Sequence, residues 1–346
     1  MVMRTSLWSL LCLAACNSES GFSAQTQVDA FSQAPNNQVD ILWVIDDSSS
    51  MAAEQQLLAD GIDVFMADID ASGTDFHLGV TSTSFETTGG ALVTSAPGQP
   101  AYLTNADANY KTEFQARALL GTAGSDKEKG IAAGNFALQP SMVGPGGPNE
   151  GFLRPDAQLL LVYVSDEEDC SDNGALAGEP QDACYTRLDE LPPVANFASQ
   201  LWNLKQERSL VNVGAIIVTD VGNCDDSNVW ASERYAEMVR LNGGFIGDLC
   251  EANWDNMLGT LGLTAIGIRT TFKLTKGAVV GSIGVFVDDV TVQEDPTNGW
   301  SYDPDTWYIE FHGDAVPERG AEISVSYTVD PGAPDPVDQA ATATTI

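Results

Sequence analysis

Apolar positions follow two different patterns along this chain. Up to about residue 268, short continuous apolar runs alternate with segments at helical spacing. The runs are Ile41-Leu42-Trp43-Val44-Ile45, Leu159 to Val164, and Val211 to Val218. Each is short, rich in branched residues and apolar at nearly every position, as expected of a strand covered on both faces. Phe76, Leu78 and Val80 alternate, which predicts a further strand, and 243–249 reads as a short edge strand. Between them, Leu58, Ile62, Phe65 and Ile69 recur at helical spacing and predict one helix over about 51–69. Further helices are predicted through Ile131 and Phe136, from about Pro193 through Leu204, over 232–241 and over 251–263. The stretch 89–109, with Pro97 and Pro100, reads as a hairpin and loop. Strands alternating with helices predict an α/β fold with a doubly wound, mostly parallel sheet over 39–268.

Helical spacing ends at about Arg269. Phe272 and Leu274 alternate, as do Ile283, Val285 and Val287, then Trp307, Ile309 and Phe311, then Ile323, Val325 and Tyr327. Turn-forming segments such as Asp295-Pro296-Thr297-Asn298-Gly299 separate them. This predicts a small antiparallel, sandwich-like β domain over 269–330. Residues 17–38 and 331–346 are polar and aperiodic, and read as a disordered tether and a disordered tail.

Charge and cysteines narrow the function. Among 346 residues, 49 acids face 15 bases, for a net charge of −34. That excludes nucleic acid as a partner, because phosphate backbones are held by Lys and Arg. Residues 1–16 carry Arg4, then an apolar run too short to span a membrane, as in a secretion signal. The closing Leu13-Ala14-Ala15-Cys16 resembles a bacterial lipobox, which implies a lipid on Cys16. With Asn17 rather than Asp next, the expected location is the cell envelope, anchored in the outer membrane. Export makes Cys170, Cys184, Cys224 and Cys250 candidates for two disulfides. Three pairings exist, and the expected one is Cys170–Cys184 with Cys224–Cys250.

Two of the apolar strands end in acid. The first runs into Asp46-Asp47-Ser48-Ser49-Ser50, the other into Asp166-Glu167-Glu168-Asp169-Cys170. In a parallel sheet both ends point the same way, where ligands bind. Asp46, Ser48 and Ser50 alternate on one short turn and offer oxygen donors, which suit a hard cation. This Asp-x-Ser-x-Ser turn resembles the metal-ion-dependent adhesion site (MIDAS) of von Willebrand factor A (vWA) domains. Leu-Arg-Pro-Asp-Ala (153–157), followed by Ser-Asp-Glu-Glu-Asp-Cys (165–170), resembles secreted bacterial members of that family.

The resemblance implies a metal held by Asp46, Ser48, Ser50, a second-loop threonine and Asp166. Thr122, in Gly121-Thr122-Ala123-Gly124-Ser125, fits the threonine, with Ser125 as the alternative. Ser125 also reads as a helix cap, and Glu167, Glu168 and Asp169 as a solvated acidic rim. The implied cofactor is Mg²⁺, or Ca²⁺ or Mn²⁺. The implied partner is a protein that presents an acidic group, and the implied role is adhesion without catalysis. No G-x-S-x-G, H-E-x-x-H or P-loop motif occurs. A metal-assisted hydrolase and an envelope structural protein with a vestigial site are the alternatives.

Overall fold

A computed structural model describes residues 25–33, 37–206, 208–224, 229–318 and 320–333. The signal, Cys16 and residues 334–346 of the tail lie outside them. Among the described residues, thirteen strands form three sheets. The first seven strands are β1 (Thr26–Ser32), β2 (Gln38–Ile45), β3 (Asp75–Ser82), β4 (Leu103–Thr104), β5 (Gln158–Ser165), β6 (Val211–Ile217) and β7 (Ile246–Asp248). The last six are β8 (Thr271–Lys273), β9 (Gly284–Val287), β10 (Val290–Val292), β11 (Trp300–Asp303), β12 (Tyr308–Phe311) and β13 (Glu322–Thr328).

The large sheet has the order β4-β3-β2-β5-β6-β7. All neighbours are parallel except the antiparallel edge pair β3–β4. After β2 the chain steps outward to β3, then crosses back to β5 on the other side of β2. The order therefore reverses between β2 and β5, and a crevice opens there beyond the strands' carboxyl ends. The apolar runs are central because both faces are covered. Ile41, Trp43 and Ile45 face the helices Ile62–Ala71, Tyr110–Ala118 and Trp254–Ala265, while Leu42 and Val44 face Gly130–Ala137. Trp43 packs edge-on against Phe65 at 5.0 Å and Phe114 at 5.9 Å.

The predicted 51–69 helix is two helices, Ala52–Asp60 and Ile62–Ala71, separated at Gly61. A Cβ at Gly61 would stand 2.1 Å from Leu258 Cδ1, so the break lets the last helix of the domain press close. That helix also seats Gly262 on the chain at Phe65: an added Cβ would lie 2.3 Å from the Phe65 carbonyl oxygen. Backbone cannot yield as a side chain can. Gly262→Ala should therefore cost about 1–3 kcal/mol, read as a lower denaturation midpoint at unchanged m-value.

The helix Tyr110–Ala118 escaped the sequence pattern. Only Tyr110, Phe114 and Ala118 mark its apolar stripe, and the buried position Arg117 carries a charge. Its guanidinium donates to the carbonyls of Pro100 and Ala101, both at 3.0 Å.

The C-terminal β module has two sheets, β1-β13-β9-β10 and β11-β12-β8. They share a core of Phe272, Trp300, Trp307, Ile309, Val325 and Tyr327 among others, and their strand pairs are antiparallel, as expected. Its strand β1 comes from the other end of the chain. The stretch 17–38 is thus no tether over 26–32: it pairs with β13 along seven residues, Thr26↔Thr328 to Ser32↔Glu322. Alternation there is weak because only Asp29 is fully buried, and an acid does not register as a core position. The two polypeptide crossings between module and α/β domain meet at Gln33. Its side chain donates to the Arg269 and Pro317 carbonyls at 2.8 and 3.0 Å and accepts from the Arg269 N–H at 2.9 Å.

Candidate functional site

The crevice between β2 and β5 is built by the register of those two strands. Ile45 lies beside Val164, and the Asp46 N–H donates to the Val164 carbonyl at 2.9 Å. Asp46 and Asp166 thus leave adjacent strands at the same level. Both are buried, at 0% and 3% exposure. The Asp46 carboxylate accepts from the Ser48 N–H at 2.7 Å and from the Ser165 hydroxyl at 2.6 Å. Ser48 and Ser50 share a hydroxyl–hydroxyl hydrogen bond of 3.2 Å. The structure therefore brings Asp46, Ser48, Ser50 and Asp166 together at the switch point.

The second loop is placed differently from the expectation. Gln55 clamps it by donating to the carbonyls of Asp46 and Gly121 at 2.8 and 2.9 Å, and by accepting from the Gly121 N–H at 3.1 Å. Gly124 N–H donates to the Asp47 carbonyl at 2.8 Å, so closely that a Cβ on Gly124 would lie 2.3 Å from Asp47 Oδ1. Between these clamps Thr122 is exposed, and among the described residues it joins no hydrogen bond around Asp46. The Ser125 hydroxyl accepts from the Lys127 N–H, within its own turn. Ser125 caps no helix, since the helix starts only at Gly130. Asp47 is scaffold: its carboxylate accepts from Ser82 and Ser84 hydroxyls at 2.8 and 2.7 Å, tying the end of β3 to the turn after β2.

The acids after β5 are not a solvated rim. Glu167, Glu168 and Asp169 are buried. Glu168 accepts N–H bonds from Glu233 and Arg234 at the start of the helix Glu233–Asn242. Asp169 accepts from the Ile131 N–H and from Arg234 Nε, both at 3.0 Å. Helix N-termini present free N–H donors and positive potential, which lets acids sit inside. Glu167 takes hydrogen bonds from Gln181 and the Tyr185 hydroxyl. The disulfides Cys170–Cys184 and Cys224–Cys250 fasten this loop and the loops at the far edge, in the pairing expected.

One residue of the site went unread in the sequence. Glu128 is 1% exposed, and both its carboxylate oxygens are buried without a well-formed hydrogen bond, as is the Thr83 hydroxyl beside them. In sequence it reads as an ordinary first-turn acid of a helix capped at Ser125, whereas the helix starts two residues after it, at Gly130.

The charge balance separates this crevice from the rest of the interior. At the opposite end of β2, buried Asp40 is neutralised by Arg154 at 2.8 Å and Lys205 at 3.0 Å. Asp169 has Arg234, and Asp172 has Lys129 at 2.8 Å. Among the described residues no lysine or arginine pairs with Asp46 or Glu128. Burial, and then the charge of Asp166, push the Asp46 carboxyl up to about 7. Burial, with Asp46 as the leading charge, pushes Glu128 well above the carboxylate range. Carboxylates buried together without a cation are costly unless protonated or bound to one. The donor set is hard oxygen, which fits a divalent ion. Among the described residues no three His, Cys, Asp or Glu side chains form a ready-made metal cluster, so a cation here would need the hydroxyls as well.

No protein-family model matches this chain, and no curated relative does. Among solved structures it is similar to a von Willebrand factor type A protein from Catenulispora acidiphila. The identity is 13% over 90% of this chain and 66% of that one, with a TM-score of 0.41. It is also similar to the pilus adhesin SpaC from Lactobacillus rhamnosus GG, at 12% identity over 89% and 43% of the two chains and a TM-score of 0.39. A third is proximal thread matrix protein 1 of the mussel byssus, in a structure with a zinc-occupied MIDAS motif. Its identity is 14% over 72% and 52%, with a TM-score of 0.37. This chain spans two thirds or less of each. By its sheet order and its switch point between β2 and β5, where the Asp-x-Ser-x-Ser turn is placed, the α/β part of this chain has a doubly wound, vWA-like fold.

Proposed function

We propose that this protein is a divalent-cation-dependent binding protein of the cell surface. Asp46 and Asp166 would hold the ion by carboxylate, and Ser48 and Ser50 would add neutral oxygens. Bound there, the ion would act as a Lewis acid that accepts one further oxygen from outside. An acidic group on a protein partner is the ligand that such an exposed coordination position would select. Mg²⁺ is the expected ion, with Mn²⁺ and Ca²⁺ as substitutes. The apolar leader and Cys16 support export and a lipid anchor in the outer membrane, which would present the site outward. The role is adhesion or binding rather than catalysis.

One observation carries this reading: two buried acids end adjacent parallel strands at the switch point, and no cation pairs with Asp46 among the described residues. Calorimetric titration of Mg²⁺, Mn²⁺ and Ca²⁺ into the purified full chain tests it. One ion per chain is expected, with binding abolished by Asp46→Ala and weakened less by Ser48→Ala. At a hundredfold excess over Kd, the ion should add about 2.7 kcal/mol of stability. No heat and no thermal shift with any of the three ions would overturn the reading.

A further inference from the structure

Glu128 sits where the second loop meets the site, and its backbone is pinned on both sides. Its carbonyl accepts from the Cys170 N–H at 2.5 Å, which ties it to the loop after β5. The next residue, Lys129, donates its N–H to the Thr83 carbonyl at 3.0 Å, which ties it to the end of β3. The Lys129 side chain is directed elsewhere, to Glu86 and Asp172, and gives Glu128 no counter-charge. A buried carboxylate with neither cation nor well-formed hydrogen bond is rare in a folded chain, since leaving such a group unsatisfied is costly. The lysine next to it in sequence pairs with two other acids instead.

We propose that Glu128, held against the Thr83 hydroxyl, is the second-loop ligand of the cation site and that Thr122 takes no part in it. The inference rests on the metal reading above and changes its composition. A buried charged ligand replaces a neutral hydroxyl. The three carboxylates form no ready-made cluster among the described residues, so Glu128 would reach the ion through a water or by a turn of its side chain. It would then hold the ion more firmly than Asp46 and Asp166 alone and leave it a weaker pull on a partner's acid. Thr122, exposed between the Gln55 and Asp47 clamps, belongs to the outer lip of the loop.

The test is titration of Mn²⁺ alone into the full chain and three variants, with melting temperature recorded with and without the ion. Glu128→Gln keeps the side chain's shape and removes its charge. It should weaken Mn²⁺ binding at least tenfold, while the metal-free protein melts no lower than wild type. Thr122→Ala, a surface change, should alter Mn²⁺ affinity less than twofold. Wild-type affinity in Glu128→Gln, or a large loss in Thr122→Ala, would overturn the proposal even if Glu128→Gln proved hard to fold. If Asp46→Ala abolishes binding while Glu128→Gln is silent, only the Glu128 assignment falls. If wild type takes no Mn²⁺, the metal reading falls and this one with it.

Discussion

The metal-free protein should melt higher at pH 5.5 than at pH 8, by on the order of 5–10 °C. Burial and Asp166 raise Asp46 to about 7, and burial raises Glu167 and Glu168 to about 7. In the unfolded chain these groups titrate near 4. Between about pH 4 and pH 7 the folded state therefore holds more protons than the unfolded one, and stability falls as pH rises through that window. Above pH 7 the penalty is fully present. Asp29, Asp172 and Asp248 are shifted downward by their hydrogen bonds, despite burial. Their contribution is retained above about pH 4 and is unchanged across the tested range. The net charge of −34 also favours lower pH, but through exposed charges that salt screens. Thermal melts at several pH values in 0.3 M NaCl separate the two. Asp46→Asn should flatten the wild-type slope and raise the metal-free melting temperature at pH 8. Divalent ion should rescue wild type at pH 8 more than at pH 5.5, because protons compete for the ligand oxygens. A flat profile, or one unchanged in Asp46→Asn, would mean that the buried acids carry no strain.

That site was half legible in the sequence. Asp46, Ser48, Ser50 and Asp166 could be found because a strand buried on both faces announces itself, and a polar break in it marks the carboxyl end. Position on a parallel strand is a one-dimensional fact. The second loop is not. Its path is set by Gln55 reaching Gly121 across 66 residues and by Asp47 meeting Ser82 and Ser84 across 35 and 37. No local pattern encodes such side-chain clamps, so a motif-shaped Gly-Thr pair drew attention and Glu128 did not. The same limit explains the acidic run after β5. Glu167, Glu168 and Asp169 look like solvated surface until the helices Gly130–Ala137 and Glu233–Asn242 place their N-termini against Glu168 and Asp169.

The fold was readable wherever burial was two-sided, and misread where one acid replaced an apolar residue. Strand β1 is the case with consequences. Asp29 is 5% exposed and accepts from the Thr275 N–H at 2.7 Å, the Thr275 hydroxyl at 2.8 Å and the Tyr327 hydroxyl at 2.9 Å. It is a core residue in function and a loop residue by composition.

Deleting residues 17–33 from the full chain should therefore unfold the C-terminal β module while leaving the α/β domain folded. The loss would bare β13 along its whole length, since β1 pairs with all seven of its residues. It would remove Phe31 from Phe272, 5.2 Å between ring centres, and the acceptor of three donors, two on Thr275 and the buried hydroxyl of Tyr327. The Gln33 hydrogen bonds that hold the two chain crossings together would go too. Seven ladder positions at roughly 1 kcal/mol per net hydrogen bond exceed what a small module can spare. A bared strand edge is also a template for aggregation. Limited proteolysis should cut the variant within 270–330 and spare the segment from β2 to the helix Trp254–Ala265. Near-UV circular dichroism should lose the signal of buried Trp300 and Trp307 and keep that of Trp43. Asp29→Ala, which removes only the buried acceptor, should weaken the module in the same direction by about 1–3 kcal/mol. A truncated chain as protease-resistant over 270–330 as wild type would show that β1 is dispensable to the module.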